Sequence, residues 1–91
     1  MAQVIITLKI MPDSPETDIA KIEKEATLKI MKHGADVGKT EIEEMAFGLK
    51  SLKIYFIMDE SKGSTEALEA QIAEIDDVTS VEVIDVRRAI G

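Results

Sequence analysis

Cysteine is absent from the chain, which excludes a disulfide scaffold, a zinc ribbon, a thiol nucleophile and a cysteine-held iron–sulfur cluster. Asparagine and tryptophan are missing too, histidine occurs once as His33, and the two arginines stand together as Arg87 and Arg88. One imidazole cannot supply a histidine metal cluster or an acid/base pair of imidazoles within one chain, so His33 reads as a surface residue at a helix end. The aromatics are Phe47, Tyr55 and Phe56. The core must therefore be built from Ile, Leu, Val, Met and Ala, and an aromatic outside the periodic segments stands out. No basic segment precedes the first apolar stretch, which Thr7 interrupts, so the N-terminus reads as neither a signal peptide nor a spanning helix. A cytoplasmic protein is expected.

What is present fits one compact domain over residues 1–91, with 45% hydrophobic residues and a formal charge of −7. That charge disfavours general nucleic-acid or anionic-membrane binding, which needs clustered Lys and Arg to displace counterions. The one local exception is Arg87-Arg88, which position alone would also allow as a solvated tail.

Apolar periodicity gives six elements. Val4, Ile6, Leu8 and Ile10 alternate with Ile5, Thr7, Lys9 and Met11, predicting a strand over about 3–11. After Pro12-Asp13-Ser14-Pro15, the helical spacing of Ile19, Ile22, Ala26 and Ile30 predicts a helix over 16–32, stopped by Gly34. Leu28 falls on the opposite face of that helix. Residues 35–45 read as an edge strand and Leu49–Met58 as a central one. Leu68, Ile72 and Ile75 mark a second helix, capped by Gly63 or Ser64 and ending near Asp76-Asp77. The last strand, 78–86, changes phase between Val83 and Ile84, which a bulge or a doubly buried segment would reconcile. The order strand, helix, strand, strand, helix, strand is that of the ferredoxin-like α+β fold. It implies a four-stranded antiparallel sheet in the order 4-1-3-2 with both helices on one face.

Few catalytic constellations survive. Glu43-Glu44, Asp59-Glu60 and Asp76-Asp77 are sequence neighbours, which point apart in a strand and are solvated in a loop. Lys62-Gly63-Ser64-Thr65 lacks the phosphate-loop spacing and suits a helix cap. An acylphosphatase would need asparagine and an arginine near strand one, and the chain has neither. An RNA-recognition sheet would need aromatics on strands one and three, where only Tyr55 and Phe56 occur, on opposite faces. No enzyme activity is expected. A regulatory domain of ACT-like topology is the alternative, although it calls for glycine after strand one, where two prolines stand. Phe47, in the connector Ala46-Phe47-Gly48, fits neither flanking pattern, and by itself could fold back on the core or project as a docking anchor.

The run Met45-Ala46-Phe47-Gly48-Leu49-Lys50-Ser51-Leu52-Lys53-Ile54 resembles the A-F-G-L-K-x-L stretch of the elongation factor 1-beta family. Three further segments join it: Met11–Pro15, Gly63–Glu66 and Val78–Arg88. The likeness covers essentially the whole chain and is to the short archaeal form. It implies a factor that promotes GDP release from the translational GTPase elongation factor 1-alpha, binding its GDP-bound and nucleotide-free states. No cofactor, metal, nucleic-acid or membrane contact is needed for that role. In the family the loop phenylalanine contacts the nucleotide-binding domain of the GTPase, and a basic residue near the C-terminus disturbs the magnesium and phosphate site. The resemblance assigns the first role to Phe47, flanked by Ala46, Gly48, Leu49 and Lys50, and the second to Arg88, beside Arg87. Eukaryotic members carry lysine at that second position, so Arg88 is a departure that puts a planar fork in place of a point charge. Glu44 is another, standing where many archaeal members have proline.

Overall fold

The computed structural model describes residues 3–62 and 65–89. They form β1 (Gln3–Pro12), α1 (Ile19–Lys32), β2 (Asp36–Glu44), β3 (Lys50–Asp59), α2 (Glu66–Ala73) and β4 (Val78–Ala89). Short 3-10 turns, Ala46–Gly48 and Glu60–Lys62, flank β3. The strands make one sheet in the order β2-β3-β1-β4, with every neighbouring pair antiparallel. This is the expected ferredoxin-like order read from the other edge.

One face of the sheet carries the core. Ile6, Leu8 and Ile10 of β1 and Leu52, Ile54, Phe56 and Met58 of β3 are buried with Ile19, Ile22, Ala26 and Ile30 of α1 and Leu68 and Ile72 of α2. The strand residues alternate by two and the α1 residues recur by three and four, the two periods that put one stripe of each element against the other. Helix α1 begins at Ile19, three residues later than its apolar spacing predicts. Ser14 holds Thr17 and Glu16 in a turn, and Asp18 is the N-cap, its Oδ1 accepting from the amides of Ala20 at 3.1 Å and Lys21 at 3.4 Å. A capped start of this kind is favoured by about 1 kcal/mol over an uncapped one. Gly34 ends the helix with φ +95°, a conformation that costs other residues strain. The predicted caps Gly63 and Ser64 lie outside the described residues. Helix α2 stops at Ala73, short of Asp76-Asp77.

The phase change in β4 is a bulge. Asp85 pairs with Thr7 and Val83 with Leu8, leaving Ile84 as the extra residue. Val81, Val83 and Val86 thereby all lie opposite core-facing residues of β1. Beyond Val86, where the alternation suggested an end, β4 continues in register through Arg87 and Arg88, opposite Ile5 and Val4. The pairing to β1 supplies backbone partners for these two residues whatever their side chains are. Leu28 is exposed over a groove between α1 and the turn that follows α2, beside Ile75. His33 does cap α1, but it is half-buried and its Nε2 has no hydrogen-bond partner. Among the described residues no helix is long and apolar enough to cross a membrane.

Candidate partner-docking site

Strands β2 and β3 close on each other through the pair Glu44 and Lys50. Between them the Met45 amide donates to the Leu49 carbonyl at 2.7 Å, and the Leu49 amide to the Ala46 carbonyl at 3.3 Å. Closing the loop this tightly requires two successive residues in the left-handed region, Phe47 at φ 62° and Gly48 at φ 77°. Glycine takes that conformation freely; for phenylalanine it costs about 1–2 kcal/mol. The strained residue is also the most exposed large apolar side chain described, at 93%. That exposure overturns the reading in which Phe47 folds back on the core. Met45 and Leu49 are half-buried at the base of the loop, while Ala46, Gly48 and Lys50 are exposed around Phe47.

The hairpin is braced from the side. A Cβ built on Gly48 would lie 3.7 Å from the Cβ of Pro15, so the β1–α1 loop stands against the hairpin turn. That loop is itself tied to the start of β4, since the Asp13 amide donates to the Asp77 carbonyl at 2.8 Å and the Thr79 hydroxyl donates to the Asp13 carboxylate. Three loops at one end of the sheet thus support a single projecting aromatic ring. Nothing in the sequence links Asp13 with Thr79, and this brace escaped the sequence reading.

The arginine pair is elsewhere. Arg88 lies opposite Val4, at the start of β1, whereas the Phe47 loop lies beyond Leu52 and Ile42, level with Ile10 at its end. At about 3.3 Å per residue the two are separated by ~30 Å, most of the molecule's 42 Å length. The two arginines also point apart. Arg87 is on the helix-free face, its Nε 2.9 Å from Asp85 Oδ2. Arg88 is on the helix side, where Nη2 and Nε donate to Glu60 Oε1 at 2.6 Å and Oε2 at 3.1 Å. The charged hydrogen bond to Glu60 pushes the Arg88 pKa up, so its charge is secure. Both arginines lie beside β1, opposite Ile5 and Val4, so the expected lack of an arginine near strand one holds along the sequence and not in space.

The helix-free face is laced with its own ion pairs. Lys53 Nζ is 2.8 Å from Glu43 Oε2, and the Lys53 hydrogen bond and charge hold the Glu43 carboxyl below its ordinary pKa. Glu41 is held down first by the Tyr55 hydroxyl and then by Lys39, and Lys39 lies 4.7 Å from the centre of the Tyr55 ring. The same hydrogen bond pushes the Tyr55 hydroxyl up. Phe56 is fully buried on the other side, so this face has no pair of aromatics on which bases could stack. Among the described residues no cluster of His, Asp or Glu could hold a metal ion.

Comparison with known proteins settles the family. The family model described as the EF-1 guanine nucleotide exchange domain matches residues 5–89. The chain belongs to the EF-1 guanine nucleotide exchange family. Its relatives include elongation factor 1-beta of Methanobrevibacter smithii, 43% identical over 97% of this chain and 98% of that protein. The elongation factor 1-beta of Halobacterium salinarum is 40% identical over 97% of this chain and 99% of its own. Solved structures extend the likeness to the fold alone. The ACT domain of a GTP pyrophosphokinase from Chlorobium tepidum superposes with a TM-score of 0.62 at 12% identity, covering 90% of this chain and 99% of that one. The C-terminal domain of the Mycobacterium tuberculosis MgtC protein gives 0.65 at 12% identity, covering 97% and 88%. For this exchange-family chain the ACT-like alternative therefore rests on a shared topology, which many unrelated activities use.

Proposed function

We propose that this protein is a guanine nucleotide exchange factor that promotes GDP release from elongation factor 1-alpha during translation elongation, acting in the cytoplasm as one domain. The family match over residues 5–89 carries the reading, and the 93% exposure of Phe47 on a braced hairpin supports its site. Phe47 is the docking anchor, with Ala46, Gly48, Leu49 and Lys50 forming its rim, and Arg88 is the perturbing cation at the far end of the sheet. A rigid projecting ring loses little conformational freedom on burial, and residues of this type dominate interface energetics.

A factor of this kind needs no covalent chemistry. It must bind the nucleotide-free GTPase more tightly than the GDP-bound form, and by reciprocity its binding weakens GDP by the same factor. Magnesium and its ligands supply much of the electrostatic hold on a nucleotide's phosphates, so a guanidinium brought to that site competes with it. Arg87, paired with Asp85 on the other face, contributes charge to the same end without sharing the direction of Arg88.

The test is release of fluorescent GDP from elongation factor 1-alpha with and without the protein, at several magnesium concentrations. Acceleration at stoichiometric factor is expected, and rising magnesium is expected to oppose it. Arg88→Ala is expected to bind yet accelerate poorly, and Arg88→Lys to keep substantial activity. No acceleration by the wild-type protein would refute the proposal.

A further inference from the structure

The guanidinium of Arg88 is already engaged, by a carboxylate far from it in sequence. Glu60 follows the end of β3, and β1 lies between β3 and β4, so the pair reaches across one whole strand. Both carboxylate oxygens accept, from Nη2 at 2.6 Å and from Nε at 3.1 Å. This two-point fork is the geometry in which an arginine and a carboxylate hold each other best. Glu60 is set in place by its neighbours: the Asp59 Oδ1 accepts from the Ser61 amide at 2.8 Å, fixing the Glu60–Lys62 turn that presents the carboxylate.

We propose that Glu60 is a positioning residue that latches Arg88 in the free protein and hands it over when the partner's anionic site replaces the carboxylate. The inference rests on the functional reading above. A guanidinium paired with a carboxylate is close to neutral seen from outside and cannot compete with a divalent cation for phosphate oxygens. The latch also has to be light, because Arg88 and Glu60 are both well exposed, and exposed pairs exchange partners at small cost. Glu60 therefore holds the guanidinium back in the free protein while leaving it removable. An uncompensated Glu60 carboxylate near phosphates would repel them, so removing its charge acts in the same direction as opening the latch.

Glu60→Gln separates this from a structural role. Fluorescent-GDP release by that variant, at limiting factor and low salt, is expected to run about two- to fivefold faster than with wild type, and the gain is expected to shrink at high salt. Glu60→Asp, which keeps the charge, is expected to stay near wild type. In the free protein the Arg88 Nε proton is expected to exchange with water faster in Glu60→Gln, with thermal stability little changed. The double variant Glu60→Gln, Arg88→Ala is expected to match Arg88→Ala alone. Equal or slower release by Glu60→Gln, with Arg88→Ala still defective, would overturn the latch and leave the exchange reading intact. Wild-type activity of Arg88→Ala would overturn both the latch and the role given to Arg88.

Discussion

Truncating Phe47 to alanine removes a ring that touches almost nothing in the free protein, and the structure fixes what that does to each of two measurements. With the side chain 93% exposed, no core contact is lost. Alanine inherits the same left-handed backbone and its strain, so stability should change by less than about 0.5 kcal/mol, as for surface substitutions generally. At the interface the account differs. Full burial of such a ring is worth about 1.5–3 kcal/mol, and an anchor residue typically costs 2 kcal/mol or more when truncated. GDP release at limiting factor should therefore fall about 30-fold or more. Phe56→Ala gives the opposite pattern: that ring is fully buried, and its loss should cost about 3–5 kcal/mol of stability. The assays are thermal denaturation and fluorescent-GDP release on the same preparations. A Phe47→Ala protein that melts many degrees lower, with exchange lost only in proportion to the unfolded fraction, would refute the anchor argument.

Three other outcomes follow from the geometry. Gly34→Ala, at φ +95° with Lys62 against the site of the new methyl, should destabilise by about 1–2 kcal/mol and lower the melting temperature by roughly 4 °C or more, with exchange by the folded protein unchanged. The carboxyls of Glu41, Glu43 and Asp59 are held below their ordinary pKa values. Their contribution to stability is therefore complete above the unfolded carboxylate range and lost as the pH falls below about 4.5; denaturation across an acid series should show the fall, and Lys53→Met should lessen it by freeing Glu43. Thr79→Val, which removes the hydroxyl that reaches Asp13, should loosen the brace behind the hairpin, weakening exchange about two- to fivefold through lost pre-organisation, with hydrogen exchange at Asp13 as the structural readout.

Most of the fold was legible because each element keeps one strong period. The two alternating strands β1 and β3 became the centre of the sheet, and the weakly apolar segment at Asp36–Glu44 became an edge. The phase slip at Ile84 left a bulge and a doubly buried segment open, and the register with β1 and the exposure of Ile84 and Val86 decide for the bulge. Element ends were less so. The helix expected from residue 16 is delayed by the turn around Ser14 to the cap at Asp18, and the strand expected to end at Val86 continues by pairing with Ile5 and Val4. For the site, Phe47 was recognisable because it broke two patterns at once, yet only its exposure excludes a core contact. Glu60 was not recognisable, because no period or motif links it to Arg88 and only the sheet order brings them together.

The distance between the Phe47 loop and Arg88 makes the sheet a ruler. Backbone pairing fixes the gap of ~30 Å between its ends, and no flexible joint lies between them. A partner that has accepted the aromatic ring then meets the guanidinium as an intramolecular event, at the high effective concentration that a stiff spacer of matching length provides. A partner whose two sites have moved apart by a few ångströms gains nothing from the second contact. Opening and closing of such a partner would thus be sensed by a molecule that does not itself change shape, and each end could be weak while the pair remains selective for one spacing.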